Sequence, residues 1–179
     1  MTTYVAFLRA INVGGRFFKM ADLRAGLSHK GFGDVESHIQ SGNLRFTSSL
    51  RSAGKVELAV EAALEELCGF TVRTIVRTPA QLGELSSYGA GLESPLDGDV
   101  RRYVTFLKED PDGQLTATMN SWDVPGERAH VAGREVYLWL AHPSHEAKLS
   151  NARIERGGVV ATTRDWKVIS ALGEKWGQL

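Results

Sequence analysis

A chain of 179 residues, 42% hydrophobic and 23% charged, has the composition of a globular protein, which excludes a disordered chain. Its 21 basic and 21 acidic side chains balance, so net charge supplies no attraction to nucleic acid or to an anionic membrane. No apolar run approaches the roughly 20 residues of a spanning helix, and one cysteine, Cys68, excludes both an internal disulfide framework and a cysteine-built metal site. Cys68 has no adjacent histidine or basic residue to activate it and is expected to be a buried structural thiol. Met1 to Val5 leads straight into a strand with no basic stretch ahead of an apolar one, so the expected location is the cytoplasm.

Tyr4 to Leu8 is apolar at every position, as in a central strand covered on both faces. After the loop Asn12-Val13-Gly14-Gly15, Met20, Leu23 and Leu27 recur at helical spacing and predict a helix over 20–30, closed by Gly31 and Gly33. Val35 to Gln40 and Leu44 to Thr47 read as two short strands joined by Ser41-Gly42-Asn43, a hairpin signal. The spacing predicts a second helix over 55–68, with Val56, Leu58 to Val60, Ala63, Leu64 and Leu67 inward and Glu57, Glu61 and Glu65 outward. Val72 to Val76 is the fourth strand. Strand, helix, strand, strand, helix, strand is the order of a ferredoxin-like split βαβ plait, so the fold class is α+β with a plait over 1–77.

Residues 78–179 read as a second α+β unit, related to the first or a variant of it, packed with it and ending in two helices. Pro79 opens a short helix to Ser87, a glycine-rich loop covers 88–99, and Arg102 to Leu107 is a strand. Pro111 to Asn120 reads as a helix, and strands around 126–132 and 135–140 meet at a turn formed by Gly133-Arg134. Helices near 146–156 and 165–176 end the chain.

In such a plait the first two strands run the same way, so the loop after the first strand and the hairpin after the second emerge at one end. The backbone of Gly14 and Gly15 can approach an anion closely before a helix, Arg9 and Lys19 add positive charge, and Asn12, Gln40, Ser41, Gly42 and Asn43 supply neutral polar groups. The competing structural role is that the glycines only permit turns while Asn12, Ser41 and Asn43 satisfy local backbone groups.

Three segments, residues 7–15 (Phe-Leu-Arg-Ala-Ile-Asn-Val-Gly-Gly), 39–43 (Ile-Gln-Ser-Gly-Asn) and 162–166 (Thr-Thr-Arg-Asp-Trp), together resemble the bacterial family called domain of unknown function 1697. The family pattern runs Leu-Arg-Gly-Ile-Asn-Val-Gly-Gly, then Gln-Ser-Gly-Asn, then Thr-Thr-Arg-Asn-Trp, so Ala10 replaces a glycine and Asp165 an asparagine. An acid at 165 would weaken an anion site if it faced inward. The resemblance implies a plait-type α+β fold with no established activity, and it adds Thr163, Arg164 and Trp166 to the candidate site. Thr163 is expected to cap the last helix, Arg164 to join the loop cluster and Trp166 to pack beneath it.

His142-Pro143-Ser144-His145 resembles a metal pair only superficially, because Pro143 breaks helical spacing and no third ligand is near; neither metal nor cofactor is expected. His38 shares the facing of Gln40, with a structural role favoured over a titrating one, and Tyr137 and Trp139 read as core. Three functions follow in order: a module binding a small anionic or polar molecule; an enzyme, transferase or hydrolase, using Ser41, Lys19 or His38 on such a ligand; and, third, nucleic-acid binding, for which Phe46 alone is a poor stacking platform. The sequence does not specify an oligomeric state.

Overall fold

In the computed structural model, residues 1–12 and 14–177 are described; Val13 of the glycine loop lies outside them. The chain divides into two compact units, Met1–Gly83 with the terminal stretch from Lys175, and Glu84–Glu174.

In the first unit, β1 (Thr2–Leu8), α1 (Met20–His29), β2 (Gly33–His38), β3 (Asn43–Ser48), α2 (Ala53–Cys68) and β4 (Thr74–Arg77) follow in plait order; α3 (Pro79–Ala90) begins in this unit and continues into the second. The four-stranded antiparallel sheet has the order β2-β3-β1-β4. β1 is central and buried on both faces: Tyr4, Ala6 and Leu8 join the core with α1 and α2, and Val5 and Phe7 on the opposite face are equally inaccessible. This is why its apolar run is unbroken. α2 ends at Gly69, whose left-handed φ of 76° lets its N–H bond Glu65 O.

One face assignment is corrected. Glu57 and Glu61 are buried, whereas Leu58 is 65% exposed. β4 is an edge strand, and the N–H groups of Thr74 and Val76 point away from β1. Glu61 Oε1 accepts from Thr74 N at 2.8 Å and Glu57 Oε1 from Val76 N at 3.0 Å. The two carboxylates, one helical turn apart, satisfy the edge that would otherwise recruit another strand.

The second unit repeats the design. β5 (Arg101–Leu107), α4 (Gly113–Asn120), β6 (Glu127–Ala132), β7 (Glu135–Leu140), α5 (Asn151–Glu155), β8 (Ala161–Asp165) and α6 (Trp166–Trp176) give a sheet of order β6-β7-β5-β8, the same plait order as the first. The edge device recurs, since Glu155 Oε1 accepts from Ala161 N at 3.0 Å. The β8 strand is absent from the sequence-derived elements, and its pairing with β5 completes a plait that the sequence left irregular. Tyr137 and Trp139 are core, as expected, with Tyr137 Oη donating to Leu85 O at 2.9 Å. Among the described residues no helix is long and apolar enough to cross a membrane.

Candidate functional site

The end of β1 and the β2–β3 hairpin meet because the plait sends both to the same end of the sheet. Leu8 N donates to Gly42 O at 2.8 Å and Arg9 N to Arg73 O at 2.8 Å, which fixes where the chain leaves the sheet. It then turns through Ala10 (φ 57°), buries Ile11, and turns again at Asn12 (φ 58°). Asn12 spans the corner: its Nδ2 donates to Gln40 O at 3.1 Å and its Oδ1 accepts from Phe18 N at 2.5 Å.

Across the corner, Asn43 is fully buried and its Nδ2 donates to His38 O at 3.2 Å and to Ser41 Oγ at 2.8 Å, closing the hairpin from inside. Gly42 must be glycine for two reasons. Its φ is 75°, and a Cβ there would lie 2.7 Å from Ile11 Cγ2 and 2.9 Å from Leu8 Cβ. Asn12, Gly42 and Asn43 therefore build the corner. Gly14, Gly15, Lys19, Gln40 and Ser41 are exposed, and Arg9 is half-buried. Lys19 occupies the N-cap position of α1, where its side chain makes no cap bond. His38 rests edge-on against Trp176, with ring centroids 6.1 Å apart.

Backbone strain gathers here. Of the described non-glycine residues with positive φ (Ala10, Asn12, Asp34 and Ile39), only Asp34 lies outside the corner, and Gly14, Gly15 and Gly42 add three left-handed glycines. Ile39, β-branched at φ 53° and 52% exposed, is strained without burying its side chain. Phe17 is 67% exposed, and Arg16 lies 4.6 Å over the Phe70 ring. Arg16, Phe17 and Ile39 are absent from the candidate residues derived from sequence. Arg16 and Phe17 could have been found from their place in the glycine loop; nothing local in the sequence marks the backbone of Ile39.

The second plait supplies an internal control. Its equivalent corner uses the same backbone bonds, Leu107 N to Arg134 O at 2.9 Å and Lys108 N to Val160 O at 2.9 Å. Yet β5 connects to α4 through residues 108–112 alone, and β6 to β7 through 133–134, whereas the first corner takes 9–19 and 39–42. The charge is opposite as well. Residues 9–19 hold Arg9, Arg16 and Lys19 and no acid; 108–112 hold Glu109, Asp110 and Asp112 beside Lys108. Those acids have structural partners: Glu109 accepts from Val160 N, Asp112 from Leu115 N, and Asp110 faces Arg134.

Thr163, Arg164 and Trp166 lie in the second unit. Thr163 is not a helix cap: it sits within β8, and its Oγ1 lies 2.7 Å from both Thr105 Oγ1 and Asn151 Oδ1. The role falls to Asp165, whose Oδ1 accepts from Lys167 N at 2.8 Å at the start of α6. Asparagine offers the same acceptor, so the replacement at 165 preserves this bond. Arg164 is 8% exposed and donates to Thr162 Oγ1 at 2.8 Å and Thr163 O at 3.0 Å; burial pulls its pKa down to about 10. Trp166 lies 4.5 Å under the Arg102 guanidinium and against Gly89, where a Cβ would come within 2.5 Å of Cζ3. Desolvation, offset in part by Tyr137, lowers the Arg102 pKa.

The chain is similar to a conserved bacterial protein, SP0830 from Streptococcus pneumoniae, with 25% identity, a TM-score of 0.74 and 99% of each chain covered. No functionally curated protein matches it. Residues 1–137, which contain the whole corner, match the family model described as "Protein of unknown function (DUF1697)", and the chain belongs to that family.

Proposed function

We propose that the corner formed by residues 9–19 and 39–43 binds a small anionic or polar ligand. The contrast between the two plaits carries this reading: the same corner closes in the second plait with shorter connections, the one after β5 acidic, so neither the length, the strain nor the positive charge of the first is required by the fold. In the proposed site the exposed backbone of Gly14 and Gly15, with Arg16 and Lys19, receives the charged group, and Gln40 and Ser41 offer neutral hydrogen bonds. Phe17 and Ile39, exposed on the two loops, offer surface for an apolar portion. Asn12, Gly42 and Asn43 hold the frame.

An enzyme acting on such a ligand is the second reading. Binding ranks above it because Ser41 Oγ accepts from the Asn43 amide, a donor that draws on the hydroxyl lone pair and cannot take its proton.

A thermal-shift screen of nucleotides, sugar phosphates and carboxylates against the intact chain tests the proposal. At least one class should raise Tm in a concentration-dependent way, with the effect weakened by added salt and roughly tenfold weaker binding in Lys19→Ala. Silence across the screen, or an equal shift in Lys19→Ala and Gln40→Ala, counts against it.

A further inference from the structure

A groove of about 250 Å³ in the second unit, separate from the β1/hairpin corner, lies between α4 and the end of α5. Its apolar floor is Leu115 and Met119, both buried. Gly157 lets this floor close up, since a Cβ there would sit 2.7 Å from Leu115 Cδ2. Arg153 and Arg156 form the rim with Gln114.

The two guanidiniums lack the partners that surface arginines usually find. Among the described residues neither donates a hydrogen bond or pairs with a carboxylate. Arg153 is instead held over the Trp122 ring at 5.3 Å, which orients it while leaving its N–H donors unused. The nearby acids are engaged elsewhere. Asp112 Oδ1 accepts from Leu115 N at 2.7 Å and Glu155 Oε1 from Ala161 N at 3.0 Å. Even with the Asp112 charge counted against the two arginines, the groove keeps an excess positive charge.

We infer that this groove is a second binding site, for a small organic oxyanion: a carboxylate or phosphate group held between Arg153 and Arg156, with an apolar body resting on Leu115 and Met119. The planar forks suit an oxyanion, the Gln114 amide adds a neutral donor, and the volume, below that of drug-sized ligand pockets, limits the occupant to a small molecule.

Backbone amide NMR on the intact protein, titrated with benzoate, inorganic phosphate and neutral benzamide, tests this. Benzoate should give saturable shifts at Leu115, Met119 and Gly157 with a dissociation constant on the order of 1 mM, and Trp122 emission should change in step. Arg153→Gln/Arg156→Gln should weaken that binding at least fivefold. If the double variant does not fold, Arg156→Gln alone, at an exposed residue, should weaken it two- to threefold. Lys19→Ala should leave it unchanged, which separates this site from the corner. Shifts that do not saturate, benzamide binding as well as benzoate, or arginine variants that bind as wild type would overturn the inference. Phosphate binding more tightly than benzoate would overturn the apolar half of it.

Discussion

Asn12 and Gln40, 28 residues apart, are joined by a bond from Asn12 Nδ2 to Gln40 O at 3.1 Å, while Asn12 Oδ1 takes Phe18 N at 2.5 Å. One side chain thus ties the glycine loop to the hairpin and to its own exit. Asn12→Asp keeps the acceptor, loses the donor and sets a carboxylate beside a carbonyl. Urea denaturation should show a loss of about 1–2 kcal/mol, with Asn12→Ala losing at least as much because it also strands Phe18 N and removes a residue that tolerates φ of 58°.

Ala10 is exposed at φ 57°, where the family pattern carries glycine. Ala10→Gly should stabilise the protein by about 0.5–1 kcal/mol, the steric relief exceeding the extra chain entropy lost. Ile39→Gly should also stabilise. If Ile39 is kept for ligand contact, the same change will weaken binding in the thermal-shift screen, so stability and affinity will move in opposite directions.

Gly42→Ala combines an unfavourable φ with contacts under 3 Å to Ile11 and Leu8. A loss of roughly 2–4 kcal/mol in unfolding free energy is expected. Gly14→Ala, where nothing lies within 4 Å, should lose only the conformational part, about 1 kcal/mol. Equal effects at the two positions would argue against the close packing of the corner.

Glu61→Ala should cost about 1–3 kcal/mol by leaving Thr74 N unpaired in a buried position, and should raise the tendency to self-associate through β4. Glu61→Gln retains an acceptor and should lie much closer to wild type. Light scattering alongside denaturation separates the two consequences.

Burial raises the Cys68 pKa, so less thiolate is present at a given pH than for a free cysteine. Alkylation of the native protein should be slow at pH 8 and rise with an inflection above that of a free cysteine; unfolding in urea should restore the ordinary rate. A native rate equal to the unfolded one would show the thiol to be open to solvent.

The sequence reading failed where a residue's surroundings, not its type, set its role. Helical spacing predicts α2 correctly, but charge alone places Glu57 and Glu61 in solvent; facing the open edge of β4, they are satisfied by backbone N–H groups. The strand at β8 was open to detection in the β-branched stretch 159–163, but threonines ahead of a helix also suit a cap, and pairing with β5 decides between them. At the corner, plait topology alone predicts that the two loops meet. That Asn12 and Asn43 act as frame, and that Ile39 is strained and exposed, depends on which backbone groups the fold sets opposite them.

Local patterns that repeat along the chain are enough for the order of strands and helices in the first plait, the double-sided burial of β1 and the closeness of the loops, because hydrophobic period and chain direction are encoded by neighbours in sequence. The twin corner, the carboxylates guarding the sheet edges and the unpaired arginines over Leu115 emerged only from the folded chain. Each depends on which backbone or side-chain group lies opposite a residue, and that is set by packing between segments far apart in sequence.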